Sequence, residues 1–336
     1  MLRLSALAAV LMCAAACHDE DIAPPDGPSS AWGLGPALPR PALEPGVALL
    51  GQQIVVAGGF DTGVTEGLDV TAEIDAFDSL VHTWGRLPDA PVRWTAINLA
   101  TLGETLYLLG GLDAQSAAHG EAFELDASTQ RWVAIAAMAA GDERGAAGVV
   151  TTPGHIYLVG GIAGGAPLAT CLEYDITTNT WSHLPDLPAP RAHPAVMWTT
   201  DGILILAGGF ESADASVPRG DVWALAPAGS ASRVWQPRTA MVAPADPDLR
   251  GGCAYGVVFG ELVCAGGGDA GSAKTAVAGY DPYLDVWTPH EAMPVARAGT
   301  QGTPAGGRLF VPGGSASAAL EPTDTLYVYS PLDTMH

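Results

Sequence analysis

The sequence predicts an all-β fold built from six copies of one sheet unit. Two adjacent glycines follow a short apolar run six times, at intervals of 52, 50, 48, 58 and 47 residues. The 336-residue chain also contains 42 glycines and 27 prolines without a collagen-like period, a composition typical of many turns and short strands. The repeated pairs are Gly58-Gly59, Gly110-Gly111, Gly160-Gly161, Gly208-Gly209, Gly266-Gly267 and Gly313-Gly314.

Each unit carries the signals of four strands. Apolar residues stand four and two positions before each diglycine, as Ile156 and Leu158 do, which predicts a strand with one face in a core. A tight turn precedes this strand, and Asp201-Gly202 is a strong hairpin signal. A third strand ends in an aromatic residue and an aspartate, as in Tyr174-Asp175, and Trp181, six residues later, opens a fourth strand.

The combined diglycine, Tyr-Asp and Trp pattern resembles the kelch repeat over about residues 32–336. That resemblance implies a β-propeller with one four-stranded blade per repeat. The last unit ends at Tyr329-Ser330 without its tryptophan, whereas Trp32, followed by Leu38-Pro39, stands alone at the other end. We therefore predict a six-bladed kelch β-propeller whose last blade is closed by the N-terminal strand, which leaves no open sheet edge within the ring.

The start of the chain predicts export. Residues 1–16 form a lipoprotein-type signal peptide, in which Arg3 precedes an apolar stretch too short to span a bilayer. The segment Ala14-Ala15-Ala16-Cys17 resembles a bacterial lipobox, which implies lipidation of Cys17. The alternative is an ordinary signal peptide that is cut near Ala16.

The regions after the signal peptide follow from composition. Residues 17–31 are acidic and then rich in Pro, Gly and Ser, which predicts a flexible tether ahead of the propeller at 32–336. We expect the protein in a bacterial cell envelope, as an outer-membrane lipoprotein or in the periplasm. On this prediction it meets a membrane only through its N-terminal lipid anchor.

The charge balance excludes nucleic acid as a partner. The chain has 36 acidic and 14 basic residues and a net charge of -22, so a phosphate backbone would be repelled. Six of the basic residues nevertheless recur 16 to 18 positions before the diglycines: Arg40, Arg93, Arg144, Arg191, Arg250 and Arg297. This spacing predicts one arginine per blade at one mouth of the central channel.

These arginines are our first candidate ligand-binding set. An acid follows the diglycine in four blades, at Asp61, Asp113, Glu211 and Asp269, and we expect it to pair with the arginine of that blade. Arg144 and Arg297 lack such an acid, so we predict that they bind a carboxylate or other small anion. The alternative is that all six arginines are structural and bond loop carbonyls and neighbouring acids.

A second candidate lies in the loop after the fourth diglycine. Glu211, Arg219, Asp221 and Val222 run in an order that resembles the bacterial periplasmic N-acetylneuraminate epimerases. The resemblance implies a catalytic carboxylate at Glu211, which would move protons during ring opening, and an Arg219 that would hold the sugar carboxylate. The alternative is an exposed polar loop with a local ion pair.

Other residues favour structural roles. Cys253 and Cys264 flank the turn Phe259-Gly260 as diagonal neighbours, too far apart for an unstrained disulfide, so we expect buried thiols. His193 precedes a proline and an apolar strand, which favours a structural histidine. The sequence contains no recognised motif for a metal or a cofactor, and we expect neither.

Two functions follow from these features. The first is a binding module for a carbohydrate, a small anion or a protein partner at one channel mouth. We prefer it because most of the recognisable sequence pattern consists of structural residues of the propeller. The second is a sugar mutarotase or epimerase that resembles N-acetylneuraminate epimerase and uses Glu211 and Arg219.

Overall fold

The computed structural model describes residues 30–61, 69–126, 129–242, 249–317 and 320–331. The predicted signal peptide, most of the tether and Cys17 lie outside these ranges. The described residues form six four-stranded antiparallel sheets and three short two-stranded ribbons. No helix within them is long and apolar enough to cross a membrane.

Each four-stranded sheet is one blade, which we number by its diglycine. The inner strands are Gly46–Leu50, Leu99–Leu102, Gly148–Thr152, Ala195–Trp198, Ala254–Val258 and Thr303–Ala305. The second strands are Gln53–Ala57, Thr105–Leu112, His155–Val159, Leu204–Ala207, Glu261–Ala265 and Arg308–Pro312. The third strands are Ile74–Asp78, Ala118–Asp126, Cys171–Asp175, Val222–Leu225, Val277–Asp281 and Leu326–Tyr329. The outer strands are Thr83–Leu87, Arg131–Ile135, Thr180–Leu184, Trp235–Arg238, Val286–His290 and, from the N-terminus, Trp32–Leu34.

The short ribbons extend three of the blades beyond the diglycine. They pair Phe60–Asp61 with Asp69–Val70, Ile162–Ala163 with Ala166–Pro167, and Gly268–Asp269 with Ser272–Ala273.

The blades close into a ring around a central channel. Neighbouring inner strands contact each other around the whole circle, including Thr303–Ala305 against Gly46–Leu50. The core lies between blades, since Val47 and Phe77 of blade one pack in one buried cluster with Phe310 of blade six. The buried apolar side chains therefore pack between neighbouring blades, as in other β-propellers.

The N-terminal strand closes blade six, as predicted. Trp32 pairs with Tyr329 and Leu34 with Tyr327 in an antiparallel register. The Trp32 ring is buried and lies with its centroid 5.0 Å from that of Tyr329. The six-bladed all-β propeller is confirmed, and its last blade combines both ends of the described chain.

The repeated tryptophans connect the blades. In every blade the indole Nε1 of the outer-strand tryptophan donates to a backbone carbonyl of the preceding blade, over 2.7 to 3.2 Å. The pairs are Trp32 to Glu291, Trp84 to Pro36, Trp132 to Pro88, Trp181 to Ala136, Trp235 to Pro185 and Trp287 to Thr239. The regularly spaced tryptophans therefore form hydrogen bonds between blades in addition to their packing contacts.

Strand direction gives the propeller two distinct faces. Inner strands begin and second strands end in the diglycines at one end of the channel, which we call the arginine face. The turns between inner and second strands, and between third and outer strands, lie at the other end. Because Trp32 lies beside Tyr329, the last residue of a third strand, the chain enters blade six at this second end, which we call the tether face.

The cysteines follow the predicted register. Val258 pairs with Glu261 and Tyr255 with Cys264, which makes Cys253 a diagonal neighbour of Cys264. Cys171, Cys253 and Cys264 are buried free thiols.

Candidate functional site

Three of the periodic arginines hold the diglycine of their own blade. Each guanidinium donates to the carbonyl oxygen of the first glycine, over 2.8 to 3.1 Å. The first glycine also needs its lack of a side chain, because Gly160 has a φ of 65° and a Cβ there would collide with the carbonyl of Arg191. The pairs are Arg40 with Gly58, Arg144 with Gly160 and Arg250 with Gly266.

Arg144 is fully buried and makes four hydrogen bonds. Besides Gly160 it donates to the carbonyl of Asp142 at 2.9 Å and to both the carbonyl and the hydroxyl oxygen of Thr170, at 2.8 and 2.9 Å. Burial lowers the pKa of Arg144 although nearby carboxylates oppose this. The prediction that Arg144 is underpaired is wrong, because backbone carbonyls bond it and the Asp142 carboxylate lies 3.7 Å from its guanidinium.

Arg297 is underpaired but does not face the channel. Its guanidinium carbon lies 5.1 Å from the ring centroid of Tyr327, and its Nε is buried without a hydrogen-bond partner in the described part of the chain. The residue is 4% exposed, and burial lowers its pKa. A ligand in the channel mouth therefore does not reach this guanidinium.

Among the described residues, one of the predicted arginine pairs is observed. Arg191 lies 2.8 Å from Glu211, as predicted. Arg93 instead pairs with Asp69 at 2.6 Å, and Arg40 lies 3.0 Å from Asp75. The acids Asp113 and Asp269 pair elsewhere, with His119 at 3.0 Å and Lys274 at 3.2 Å. The sequence spacing located the arginines but did not identify their partners.

Glu211 and Arg219 do meet. One Glu211 carboxylate oxygen accepts from Arg191 and the other from Arg219, while Arg191 also pairs with Asp221 at 2.6 Å and lies over the Trp223 ring. Burial alone would raise the pKa of Glu211, but the two arginine hydrogen bonds outweigh it and lower the pKa. Both carboxylate oxygens of Glu211 therefore accept hydrogen bonds, and the carboxylate is ionised near neutral pH. Neither Glu211 nor Arg219 lines the cavity at the mouth of the channel.

The channel mouth at the arginine face is formed by a ring of left-handed residues, one per blade. Their φ angles lie between 48° and 65°. Backbone hydrogen bonds of 2.7 to 2.8 Å link four steps of this ring, from Gly299 through Glu44, Ala96 and Ala146 to His193. The full set is Glu44, Ala96, Ala146, His193, Gly252 and Gly299.

A cavity of about 230 Å³ opens above this ring. Its lining includes Glu44, Asp214 and Asp269 together with His193 and Phe210, and no arginine from the described part of the chain contributes to it. The mouth is therefore acidic, and the prediction of arginines that face a ligand there is wrong. Three of the arginines bond the diglycine backbone, two pair with acids and one lies over the Tyr327 ring. Across the described ranges, no group of three or more His, Cys, Asp or Glu side chains is placed to hold a metal ion.

Two side chains of the ring point to a binding role. Glu44 is half-buried, and no hydrogen bond or ion pair engages its carboxylate among the described residues. His193 faces Phe210, with ring centroids 6.2 Å apart. Burial lowers the pKa of His193 while the charge of Glu44 acts against it, so the imidazole is neutral near pH 7. His193 lines the cavity instead of packing in the core, which the sequence expectation missed.

Tyr255 and Gln301 divide the channel. The Tyr255 hydroxyl crosses to blade three, where it donates to the carbonyl of Val149 at 3.3 Å and accepts from its amide at 3.0 Å. Gln301 accepts from the amide of Val47 and donates to the carbonyl of Ile97. Beyond them lies a second, largely apolar cavity of about 300 Å³ that opens towards the tether face.

Comparisons with known proteins agree with the fold. A family model described as the KLHDC2/KLHL20/DRC7 Kelch-repeats domain matches residues 44–238 and 97–314. The solved structure titled "Structure of YjhT" superposes with a TM-score of 0.74 over 91% of this chain and 98% of that one, at 16% identity. At this identity the likeness shows the fold alone.

Curated relatives share the repeat over part of their length. The chain is 27% identical over 308 residues to the Kelch-like protein terF of Aspergillus terreus, covering 87% of this chain and 65% of that protein. It is 26% identical over 120 residues to the Kelch-like protein 25 of Xenopus tropicalis, covering 36% and 20%. The chain thus spans less than two thirds of these relatives. Since the family model covers most of the propeller, the chain belongs to the kelch-repeat family of β-propellers.

Proposed function

We propose that this kelch propeller is an exported, lipid-anchored binding module that captures a protein partner at the arginine face. A lysine or arginine side chain of the partner enters the cavity above the ring of left-handed residues. The observation that carries the proposal is the Glu44 carboxylate, which is half-buried at the mouth and has no hydrogen-bond or ion-pair partner among the residues that the structure describes. A carboxylate that is partly removed from water and unpaired is stabilised when a positively charged side chain approaches it.

The surroundings of Glu44 favour a cation over an anion. Asp214 and Asp269 line the same cavity, and both have lowered pKa values. Hydrogen bonds from Ser216 lower that of Asp214 to about 2. For Asp269 burial raises the pKa, but amide hydrogen bonds and Lys274 outweigh it. Both remain ionised near neutral pH. Lys274 balances the charge of Asp269, so Glu44 and Asp214 give the cavity its excess negative charge, which attracts a basic side chain and repels a small anion.

The proposed anchor places this cavity away from the membrane. Export and lipidation of Cys17 rest on residues 1–31 of the sequence, which put the protein in a bacterial cell envelope. The chain enters the propeller at the tether face, opposite the cavity. A tether of residues 17–31 reaches at most about 50 Å, since an extended residue spans about 3.5 Å. The arginine face would therefore stay accessible to partners while the anchor lies in the bilayer.

The binding proposal is tested with residues 18–336, which contain every described strand. Fluorescence polarisation compares arrayed short peptides that carry one Lys or Arg with the same peptides carrying norleucine. We expect binding of a subset of basic peptides and about a tenfold loss in Glu44→Gln, because one close charge pair is worth about 1.4 kcal/mol. The matched control is Glu104→Gln, an exposed acid on the tether face.

Other ligands are read in the same screen. Binding of a carbohydrate or a small anion without any basic peptide, or equal binding by wild type and Glu44→Gln, would overturn the proposal. The enzyme alternative is tested by NMR of freshly dissolved α-sialic acid. We expect the anomers to equilibrate at the same rate with and without the protein. An acceleration that Glu211→Ala abolishes would establish the mutarotase instead.

The anchor is tested separately. We expect the bacterial membrane fraction to contain the protein with an N-terminal peptide that begins at Cys17 and carries the mass of a lipid. Cys17→Ser should move the protein to the soluble fraction. A peptide that begins elsewhere and carries no lipid would contradict the anchor and leave the binding test unaffected.

A further inference from the structure

We propose that the tether face rests directly on the membrane, through an apolar rim that enters the interface of a neutral phospholipid bilayer. The rim consists of five strongly exposed apolar or aromatic side chains on turns of blades one and five. They are Leu80 (72% exposed), Val81 (65%), Phe259 (72%), Tyr283 (61%) and Leu284 (71%). Scattered single exposed hydrophobic residues are ordinary, but these five share one face of the ring.

The fold does not require apolar residues in the turns between third and outer strands. In blade one the amides of Leu80 and Val81 donate to one carboxylate oxygen of Asp78, over 2.9 and 3.2 Å. In blade five the amides of Tyr283 and Leu284 do the same to Asp281, over 2.8 and 3.0 Å.

Blade three provides the internal comparison. It builds the same turn with Thr177 and Thr178 on Asp175, over 2.8 and 3.1 Å. Both threonines are exposed. The aspartate therefore fixes the turn whether the next side chains are polar or apolar. Of the four apolar or aromatic side chains on these two turns, Tyr283 also contacts blade four, where its hydroxyl lies 2.6 Å from that of Thr200.

Phe259 is a second departure from the repeat. It opens the two-residue turn between inner and second strands with a φ of 48°, a conformation that costs energy for a bulky residue. The equivalent turns of blades one, two, three and six are Gly51-Gln52, Gly103-Glu104, Pro153-Gly154 and Gly306-Gly307. The Phe259 ring lies over Gly307 of blade six and is otherwise exposed. Folding does not account for an aromatic residue here.

The position of the rim indicates its occupant. Blades one and five are the two neighbours of blade six, where the chain enters the propeller at Trp32 on this same face. The rim thus flanks the exit of the tether on both sides. An anchor at Cys17 would keep this face within reach of the bilayer, so the inference rests on the proposed anchoring.

The lipid class follows from charge. With a net charge of -22, the protein is repelled by anionic headgroups and lacks the basic patch that such lipids recruit. Aliphatic and aromatic side chains on fixed turns can instead enter the interfacial region of zwitterionic lipid. This extends the sequence prediction, in which the lipid anchor was the only membrane contact.

The test uses residues 18–336, without Cys17 or signal peptide, in flotation with phosphatidylcholine vesicles. We expect a measurable bound fraction that persists in high salt. A five-residue variant carries the polar residues of blade three, Leu80→Thr, Val81→Thr, Tyr283→Thr and Leu284→Thr, together with Phe259→Asn. Its partition coefficient should fall at least about tenfold, because most of the apolar area that enters the lipid is removed. The matched control, Leu34→Thr with Val295→Thr, removes exposed apolar side chains elsewhere and should bind as wild type.

The inference is overturned if the wild-type chain does not float with the vesicles, if the control loses as much as the variant, or if binding needs anionic lipid and disappears in salt. Urea unfolding of the five-residue variant checks that its fold is intact. Glu44→Gln should float as wild type, and the rim variant should bind basic peptides as wild type. Failure on vesicles is therefore distinguishable from failure of the proposed partner binding and from failure of the anchor.

Discussion

The Trp32 indole nitrogen donates to the carbonyl oxygen of Glu291 over 2.9 Å, joining residues 259 positions apart. The carboxylate of the same glutamate accepts from the Ser30 hydroxyl at 2.6 Å and from the Ala31 amide at 2.9 Å. The segment that closes blade six is thus held by backbone and side chain of one residue in blade five. This junction supplements the pairing of Trp32–Leu34 with Leu326–Tyr329 in joining the two ends of the described chain.

Replacing Trp32 should weaken the whole propeller. Trp32→Ala removes a buried ring between Tyr327 and Tyr329 together with the hydrogen bond to Glu291, so we expect a loss of about 3 to 5 kcal/mol. Urea unfolding followed by tryptophan fluorescence measures the change. Leu34→Thr, an exposed change in the same strand, should cost less than about 1 kcal/mol. Equal effects of the two substitutions would show that strand pairing alone closes the ring.

Closure should weaken in acid. Hydrogen bonds from Ala31 and Ser30 lower the pKa of folded Glu291 below its ordinary value of 4.5. Stabilisation by this carboxylate is therefore fully present above about pH 4.5 and is lost as the pH falls through the lower folded pKa. Glu291→Gln should be less stable than wild type at pH 7, and the difference should shrink towards pH 3. A difference that is constant with pH would mean that the charge of Glu291 does not matter.

The fold could be predicted from the sequence because each unit repeats its own constraints. The Gly-Gly pair marks a close approach of two backbones, and Trp marks a hydrogen bond between blades, so six copies confirm each other. Trp32 revealed how the ring closes for the same reason, because it precedes the first repeat while the last repeat has no outer-strand tryptophan of its own. The site could not be predicted in this way, because each ligand-facing residue occurs once.

The arginines show where periodicity misled. In three blades this spacing of 16 to 18 residues lets the guanidinium reach the diglycine carbonyl of its own blade, as in Arg144 and Gly160. A residue that recurs in every blade is expected to have a structural role in the repeat. Glu44 and His193 occupy equivalent ring positions where the other blades have Ala or Gly, and that difference in identity was the available signal.

Arg144 should therefore act on stability. Arg144→Ala leaves the buried carbonyls of Gly160 and Thr170 without their donor, which we expect to cost about 3 to 5 kcal/mol. Arg144→Lys should recover only part of this, because an ammonium cannot reproduce the planar set of donors. Thermal unfolding of both variants measures the effect. A stable Arg144→Ala protein with altered anion binding would restore the ligand role predicted from the sequence.

Tyr255 should hold the channel closed between its two cavities. Tyr255→Phe keeps the ring but leaves the amide and carbonyl of Val149 without the hydroxyl, which we expect to cost about 1 to 2 kcal/mol. Hydrogen exchange should show faster exchange at Val149 than in wild type. Unchanged exchange there would mean that water replaces the hydroxyl without loss.

Partner binding at the arginine face should weaken on mild acidification. The imidazole of His193 is neutral near pH 7 because burial lowers its pKa below 6.5. As the pH falls through that lowered pKa, a positive charge appears beside Glu44 and competes with the basic side chain of a peptide. Asp214 and Asp269, with lowered pKa values, stay ionised over the same interval and do not contribute the change. Affinity for a bound basic peptide, measured between pH 7.5 and about pH 5, should fall several-fold in wild type and change less in His193→Gln. An identical pH profile in the two proteins would place the titrating group elsewhere.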